Sequence, residues 1–389
     1  MNPTDLLEGV TLVAGDGAPA RHPVTVRVDE HGVVESIDDG GRPSGLVLMP
    51  PAVDLHLDVM AERRRPRASV VLDLDQTVAT LDAELAASGI GTVCIGARFE
   101  DEPATGVEIA DALALCDTVE RLAPSLVCDW RVHARVEATE DAGPQALREA
   151  LERTTRIALV SVMDHSAERT RHGSYEAHRA FYAEDWGMSP DEVEQVLARK
   201  RAGAAEAPRR RDEIAAIAHD HAIALATHDD RHADDVRDAA RLGAQIAEFP
   251  LSLEAAEAAR RRGLLIVLGA PNAVRGRSTA PGNLLVADAV AAGVLDVLCS
   301  DYLPSALLRA PFVLADRDGL PLADAVALTT TAPARAIGFA PPAIAMGRPL
   351  DAVAVALGEG GWAHAVALWR AGRLVHLRRA AAPQGALAA

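Results

Sequence analysis

Residues 1–48 alternate apolar and polar positions (Val24, Val26 and Val28, then Val33 and Val34) between Gly- and Asp-rich turns, the pattern of short half-buried strands. The same character returns at the far end in DAVAVAL (351–357), AVALWR (365–370) and RLVHL (373–377). Residues 1–48 and 345–389 are therefore expected to pair into one small β-sandwich domain. Between them, apolar runs of strand length alternate with longer Ala-, Leu- and Glu-rich segments of helical period, which predicts repeated βα units around a parallel sheet. Eight such runs end near Asp58, Ala97, Glu137, Asp164, Thr227, Pro250, Ala270 and Asp301. Eight strands in one alternating series point to the α/β class and a closed (β/α)8 TIM barrel over 49–344, with a doubly wound open sheet as the alternative.

One connection breaks the rhythm. About 57 residues separate His165 from the next strand at Ala222, far more than an ordinary βα unit needs. The excess is an insertion, 166–215, on the side where strands end. Within it, Ser189-Pro190-Asp191-Glu192 supplies an N-cap, a proline at the first helical position and a capping-box Glu, so a helix runs from there toward Lys200. A structured insertion of this kind could cover the mouth.

The candidate chemistry lies at the run ends. In VDLHLD (53–58), His56 and Asp58 are two apart and share a strand face. RVHARVE ends on Glu137, LVSVMDH on His165, ALATH on His228 and VLCSD on Asp301. Barrel enzymes gather catalytic groups from several strands at this C-terminal face. His56, Asp58, Glu137, His165, His228 and Asp301 thus form a candidate metal set. Imidazole and carboxylate without thiolate suit two divalent ions, zinc first, with manganese, iron or nickel as alternatives. Asp301 would also take the proton from the attacking water. His133 and Arg135 sit deeper on the Glu137 face and read as core support. His219 and His221 read as solvated, and Glu248 in AEFP (247–250) as a metal, substrate or supporting contact outside the primary set.

Composition narrows the partners. Asp and Glu number 56 against 39 Lys and Arg, a net charge of −17, which opposes nucleic acid and acidic membrane surfaces. The four cysteines form no CxxC pair, which excludes a disulfide framework or a Cys-based zinc site. Asp5 and Glu8 stand where a signal peptide would be basic and then apolar, and no transmembrane run follows, so a cytoplasmic protein is expected. A homo-oligomer stays open. Arginine-rich runs at 63–67, 199–201, 209–211 and at Arg275 and Arg277 are expected to face the mouth, whereas Arg260, Arg261 and Arg262 end a helix on the opposite face. The loop PNAVRGRSTAPGN (271–283) follows the seventh run and offers Arg275 and Ser278 as contacts to a phosphorylated small-molecule substrate.

The segments DLHLD (54–58), SVMDH (161–165), WGMSPDEVEQ (186–195), THDD (227–230), AEFPLSLEAA (247–256), GAPNAVRG (269–276) and SDYLPSALL (300–308) together resemble the amidohydrolase superfamily, and within it the diphosphatase branch of the bacterial carbon-phosphorus lyase pathway. The resemblance implies hydrolysis of a ribose 1-methylphosphonate 5-triphosphate to the 5-phosphate and diphosphate. Asp58 departs from the His-x-His of the wider superfamily and agrees with this branch. A relative acting on a cyclic amide or deaminating a small heterocycle is the alternative, and a scaffold protein without activity a third reading. Many relatives bridge two ions with a carboxylated strand lysine. The single lysine here, Lys200, belongs to the insertion, which leaves Glu137 as the expected bridge.

Overall fold

A computed structural model of the chain describes residues 7–67, 69–101, 107–165 and 188–378, with isolated positions between 176 and 183. The part of the expected insertion from 166 to 187, including Trp186 and Gly187 of the WGMS segment, lies largely outside the described residues. So do the outermost residues of both chain ends.

The chain ends build one seven-stranded sheet. Strands β1 (Val10–Leu12), β2 (Arg21–Val28), β3 (Val34–Asp39) and β4 (Leu46–Met49) are joined by β13 (Ala352–Leu357), β14 (Ala363–Arg370) and β15 (Arg373–Leu377) in the order β15-β14-β13-β4-β1-β2-β3. Strand periodicity divides its side chains between two cores. Leu48, Ala352, Ala354, Ala367 and Trp369 join the sheet's own apolar cluster. Their neighbours Val47, Met49, Val353, Val355 and Leu368 join the large cluster of the barrel. The sheet is thus fastened to the barrel by the alternate residues of the same strands.

The barrel strands are β5 (Ala52–Leu57), β6 (Ile90–Phe99), β7 (Asp129–Glu137), β8 (Ile157–Met163), β9 (Ala224–His228), β10 (Ile246–Glu248), β11 (Leu265–Gly269) and β12 (Val297–Cys299). They run parallel in sequence order. A parallel bridge between Leu57 and Asp301 brings the first and last together, with Asp301 N donating to His56 O (2.9 Å) and Asp58 N to Asp301 O (2.7 Å). The eight runs read from the sequence are these strands, legible because a parallel strand is buried on both faces and stays apolar throughout.

Period two then decides what enters the interior. Val93, Ile95, Ala97 and Phe99 of β6 and Val132, Ala134 and Val136 of β7 pack outward beneath the helices. Cys94, Leu159, Ala226, Ile246, Val267, Val297 and Cys299 fill the barrel's inside. The residues two or four further along these inward rows are the polar ones at the mouth. Strand β5 needs a correction to this rule. Its register with β6 slips between Asp54 and Leu57, so Val53 and Leu55 face inward low in the barrel while Leu57 faces the outer cluster. This bulge aims His56 and Asp58 inward at the mouth.

The insertion contributes the helix Pro190–Ala204, with the expected capping box at Ser189 and Glu192. The next helix, Ala207–Asp220, starts inside the stretch 166–215 yet packs on the barrel against β8 and β9, so it is the ordinary helix of that βα unit. No helix among the described residues is long and apolar enough to cross a membrane.

Candidate metal centre

Three groups of ligand atoms, each with all members within 4.8 Å of one another, follow one another around the mouth: His56, His228 and Glu248; His165, His228 and Asp229; Glu100, Glu137 and His165. His228 and His165 each belong to two of them. All arise from strand ends, and the backbone there is strained. Asp229, Phe249 and Asp301, each within two residues of a strand end, have φ of 60°, 51° and 56°. Left-handed backbone is costly for non-glycine residues and is concentrated at functional sites.

Below the mouth, hydrogen bonds fix these groups. His56 Nδ1 lies 3.2 Å from Glu248 Oε1, while Glu248 Oε2 accepts from Ser161 Oγ (2.5 Å), which is 2.6 Å from His133 Nε2. Burial would lift Glu248, but His133 and His56 beside it hold its carboxyl well below the usual carboxylate range. Burial works to depress His56, and the Glu248 carboxylate overrides this and leaves its pKa raised. Burial pushes His133 down to about 3 and also lowers His228, keeping both imidazoles neutral. Neutral imidazole is the form that ligates a metal. Beneath, Asp54 accepts from Ser300 N (3.0 Å) and from Ser300 Oγ, which secures the turn carrying Asp301, and burial raises it to about 6.

The sequence-derived residues distribute unevenly over this arrangement. His56, His165, His228 and Glu137 fall within the three groups, whereas Asp58 and Asp301 belong to none of them among the described residues. Asp58 is ion-paired with Arg135, and Arg135 with Arg98 outweighs burial to bring it down to about 2. This corrects the reading of Arg135 as core support. Strand β6 separates β5 from β7, and the Arg135 stem crosses it over Gly96, where a Cβ would lie 3.4 Å from Arg135 Cδ and 3.6 Å from Asp58 Oδ1. Asp301 lies by Gly269, where a Cβ would meet Asp301 Oδ2 at 3.5 Å and Asn272 Nδ2 at 3.7 Å.

Glu137, the expected bridge, is grouped with Glu100 and His165. Its Oε1 accepts from Thr139 Oγ1 (2.7 Å) and Thr139 N (3.1 Å), and its Oε2 from His165 Nδ1 (2.6 Å). Lys200, distant in sequence, returns to this corner: it is buried, 3.5 Å from Glu100 Oε2. Arg98 and Lys200 together outweigh burial and bring Glu100 down to about 2.

Sequence reasoning left Glu248 outside the primary set and missed Glu100 and Asp229. Glu248 and Asp229 carried a signal in their strand-end positions. Glu100 lies one residue beyond β6, on the inward row of Cys94 and Arg98.

The arginine runs are less available than expected. Arg63 pairs with Glu84, Arg64 with Asp111, Arg201 with Glu194 and Arg209 with Glu206 and Glu213. Arg210 donates to the carbonyls of Ala138 (3.3 Å) and Thr139 (3.4 Å) and pairs with Asp141 (2.7 Å). In so acidic a chain nearby carboxylates claim surface arginines. Arg275 is exposed and donates to Tyr302 Oη (3.1 Å), and Ser278 is half-buried in the same loop.

The donor set fits divalent metal. It offers three imidazoles and several buried carboxylates. The thiols Cys94 and Cys299 lie lower in the barrel, with pKa values pushed up by burial.

Alpha-D-ribose 1-methylphosphonate 5-triphosphate diphosphatase of Escherichia coli (strain K12) is 33% identical to this chain over 334 residues, 84% of this chain and 88% of its own. Among solved structures, N-acetyl-D-glucosamine-6-phosphate deacetylase from Mycobacterium smegmatis superposes with a TM-score of 0.62 at 16% identity, covering 94% of this chain and 98% of its own. The 5-methylcytosine deaminase from Klebsiella pneumoniae, liganded with phosphonocytosine, gives 0.62 at 14% identity, covering 96% and 98%. At such identities these two share the fold alone. No family model matches the chain.

Proposed function

The chain belongs to the alpha-D-ribose 1-methylphosphonate 5-triphosphate diphosphatase family of the amidohydrolase superfamily, and on that premise we propose that it is a metal-dependent hydrolase releasing diphosphate from a ribose 1-methylphosphonate 5-triphosphate to leave the 5-phosphate. The observation supporting this substrate most is the extent of the likeness to the diphosphatase, which covers 84% of this chain.

In this reading two divalent ions, zinc foremost, would be held by His56, His165 and His228 with Asp58, Glu137 and Asp301, and Asp229 is a further carboxylate within reach. Such ions acidify water and neutralise charge developing on phosphoryl oxygens. Asp301, fixed on its strained turn, accepts the proton of the attacking water. Glu248 orients His56 through Nδ1, leaving Nε2 as the donor. Arg275 and Ser278, on the loop after β11, meet the outer phosphates.

The test is a substrate panel followed by phosphorus NMR and amide-hydrolysis assays on the purified chain. The triphosphate should yield the 5-phosphate and diphosphate with a kcat/KM at least about a hundredfold above any cyclic amide or aminated heterocycle, a difference of about 3 kcal/mol in transition-state stabilisation. Faster turnover of an amide, with the triphosphate untouched, overturns the reading.

A further inference from the structure

We propose that Arg135, held in place by Asp58, is a substrate-binding residue whose guanidinium takes oxygens of the phosphoryl group being cleaved, so that a strand-borne cation inside the barrel selects phosphoanhydrides over neutral amides. The inference rests on the diphosphatase reading above and adds to it a residue that neither the ligand pattern nor the mouth arginines identified.

Four observations carry it. Arg135 is only 7% exposed, on the inward row of β7 between His133 and Glu137. A guanidinium has five N–H donors, and burying them without acceptors is costly. Here Nη1 meets Asp58, Nη2 lies 3.5 Å from His228 Nε2, and Nε is buried with no hydrogen-bond partner. One carboxylate therefore serves a fork built for two parallel bonds. Gly96 supplies the second structural provision. A Cβ there would stand 3.4 Å from Arg135 Cδ and 3.6 Å from Asp58 Oδ1, so the pair packs directly over the bare backbone of Gly96 where it crosses β6.

The third observation is direction. Asp58 is a quarter exposed and lines, with Arg98 and Arg64, a cavity that opens between the helix Met60–Arg64 and β6. The Asp58 end of the pair thus reaches this cavity, while Arg135 lies behind it on the side of His228. The fourth is contrast with the arginine runs read from the sequence: Arg63, Arg64, Arg201, Arg209 and Arg210 are paired with carboxylates or backbone carbonyls outside the three ligand groups. Arg135 touches His228, which belongs to two of those groups. A guanidinium there would have no anion to take from a neutral amide, but it matches the planar pair of oxygens on a phosphoryl group.

The test compares wild type, Arg135→Gln and Arg135→Lys, loaded with zinc, by calorimetric titration with inorganic diphosphate and by metal analysis. Arg135→Gln should keep the wild-type metal content and bind diphosphate at least about tenfold more weakly, as expected for loss of charge-assisted hydrogen bonds. Arg135→Lys, which keeps the charge without the fork, should fall between the two. Diphosphate affinity unchanged in both variants overturns the inference while leaving the diphosphatase reading standing, provided wild type cleaves the triphosphate. Loss of metal together with diphosphate binding in both variants also overturns it, because Arg135 would then support the ligands. A wild-type protein that neither binds diphosphate nor cleaves the triphosphate brings down the diphosphatase reading, and the role of Arg135 with it.

Discussion

At the scale of single residues, the mouth of the barrel divides its carboxylates by what they touch. Glu248 is wholly buried and committed to His56, Ser161 and the His133 side, so it works by orienting an imidazole. Asp301 is different. Its backbone is held in the left-handed region by pairing with His56 and Asp58, and its side chain lies over the bare backbone of Gly269. A base must be positioned and still able to change protonation state. Asp301→Asn preserves volume and the backbone bonds but cannot accept a proton. It should lower kcat by at least about a thousandfold, about 4 kcal/mol, with KM and the thermal midpoint near wild type. Turnover within a few-fold of wild type would remove Asp301 from the proton-transfer role.

Individual roles were the least legible part of the sequence. His56, Glu137, His165 and His228 announced themselves by ending apolar runs, a purely local signal. Glu248 gave the same signal but could not be ranked without knowing that His56, 192 positions earlier, lies 3.2 Å away. Arg135 looked like interior support because its meaning depends on crossing β6 at Gly96 to reach Asp58, a relation among three strands that no local pattern encodes.

At the scale of elements, the strands were readable to within a residue or two because parallel barrel strands are apolar on both faces. The bulge in β5 was not, since it is a slip of register against β6 and leaves the alternation of VDLHLD unchanged. The insertion helix was predicted from its cap, yet its function was obscured by distance along the chain. Pro190–Ala204 carries Lys200 into a buried position beside Glu100, and Arg199 donates to Asp101 O (3.0 Å), so the helix is fastened to the end of β6. Lys200 therefore offsets a corner that also holds Glu137.

Removing one partner of a buried ion pair leaves the other charge uncompensated, at a cost of about 3 kcal/mol. Lys200→Ala should lose about that much stability in metal-free protein. The loss should shrink when zinc is loaded, because the ion supplies positive charge to Glu137 and its neighbours. Denaturant unfolding with and without zinc checks this. Equal loss in both states would mean that no ion reaches this corner.

At the scale of the whole molecule, two sheets share strands' alternate faces: the chain-end sheet keeps its own core and lends its other face to the barrel. This fixes the barrel from its flank and leaves the mouth to its own loops and the insertion. The net charge of −17 disfavours an anionic substrate at long range, so recognition must rest on charges at short range: the proposed ions, Arg135 and the loop after β11.

The central claim is that hydrolysis takes place where His56, His165, His228 and their carboxylates converge, with divalent metal bound there. Its most direct measurement is a reconstitution: metal-stripped protein is titrated with zinc while bound metal and diphosphate release from the triphosphate are followed in the same sample, beside His228→Asn. The account predicts that release rises in step with bound zinc in the wild type and that the variant, lacking the residue common to two ligand groups, binds less zinc and releases no diphosphate. Full turnover by the stripped wild type, or normal zinc binding and turnover by His228→Asn, would contradict it.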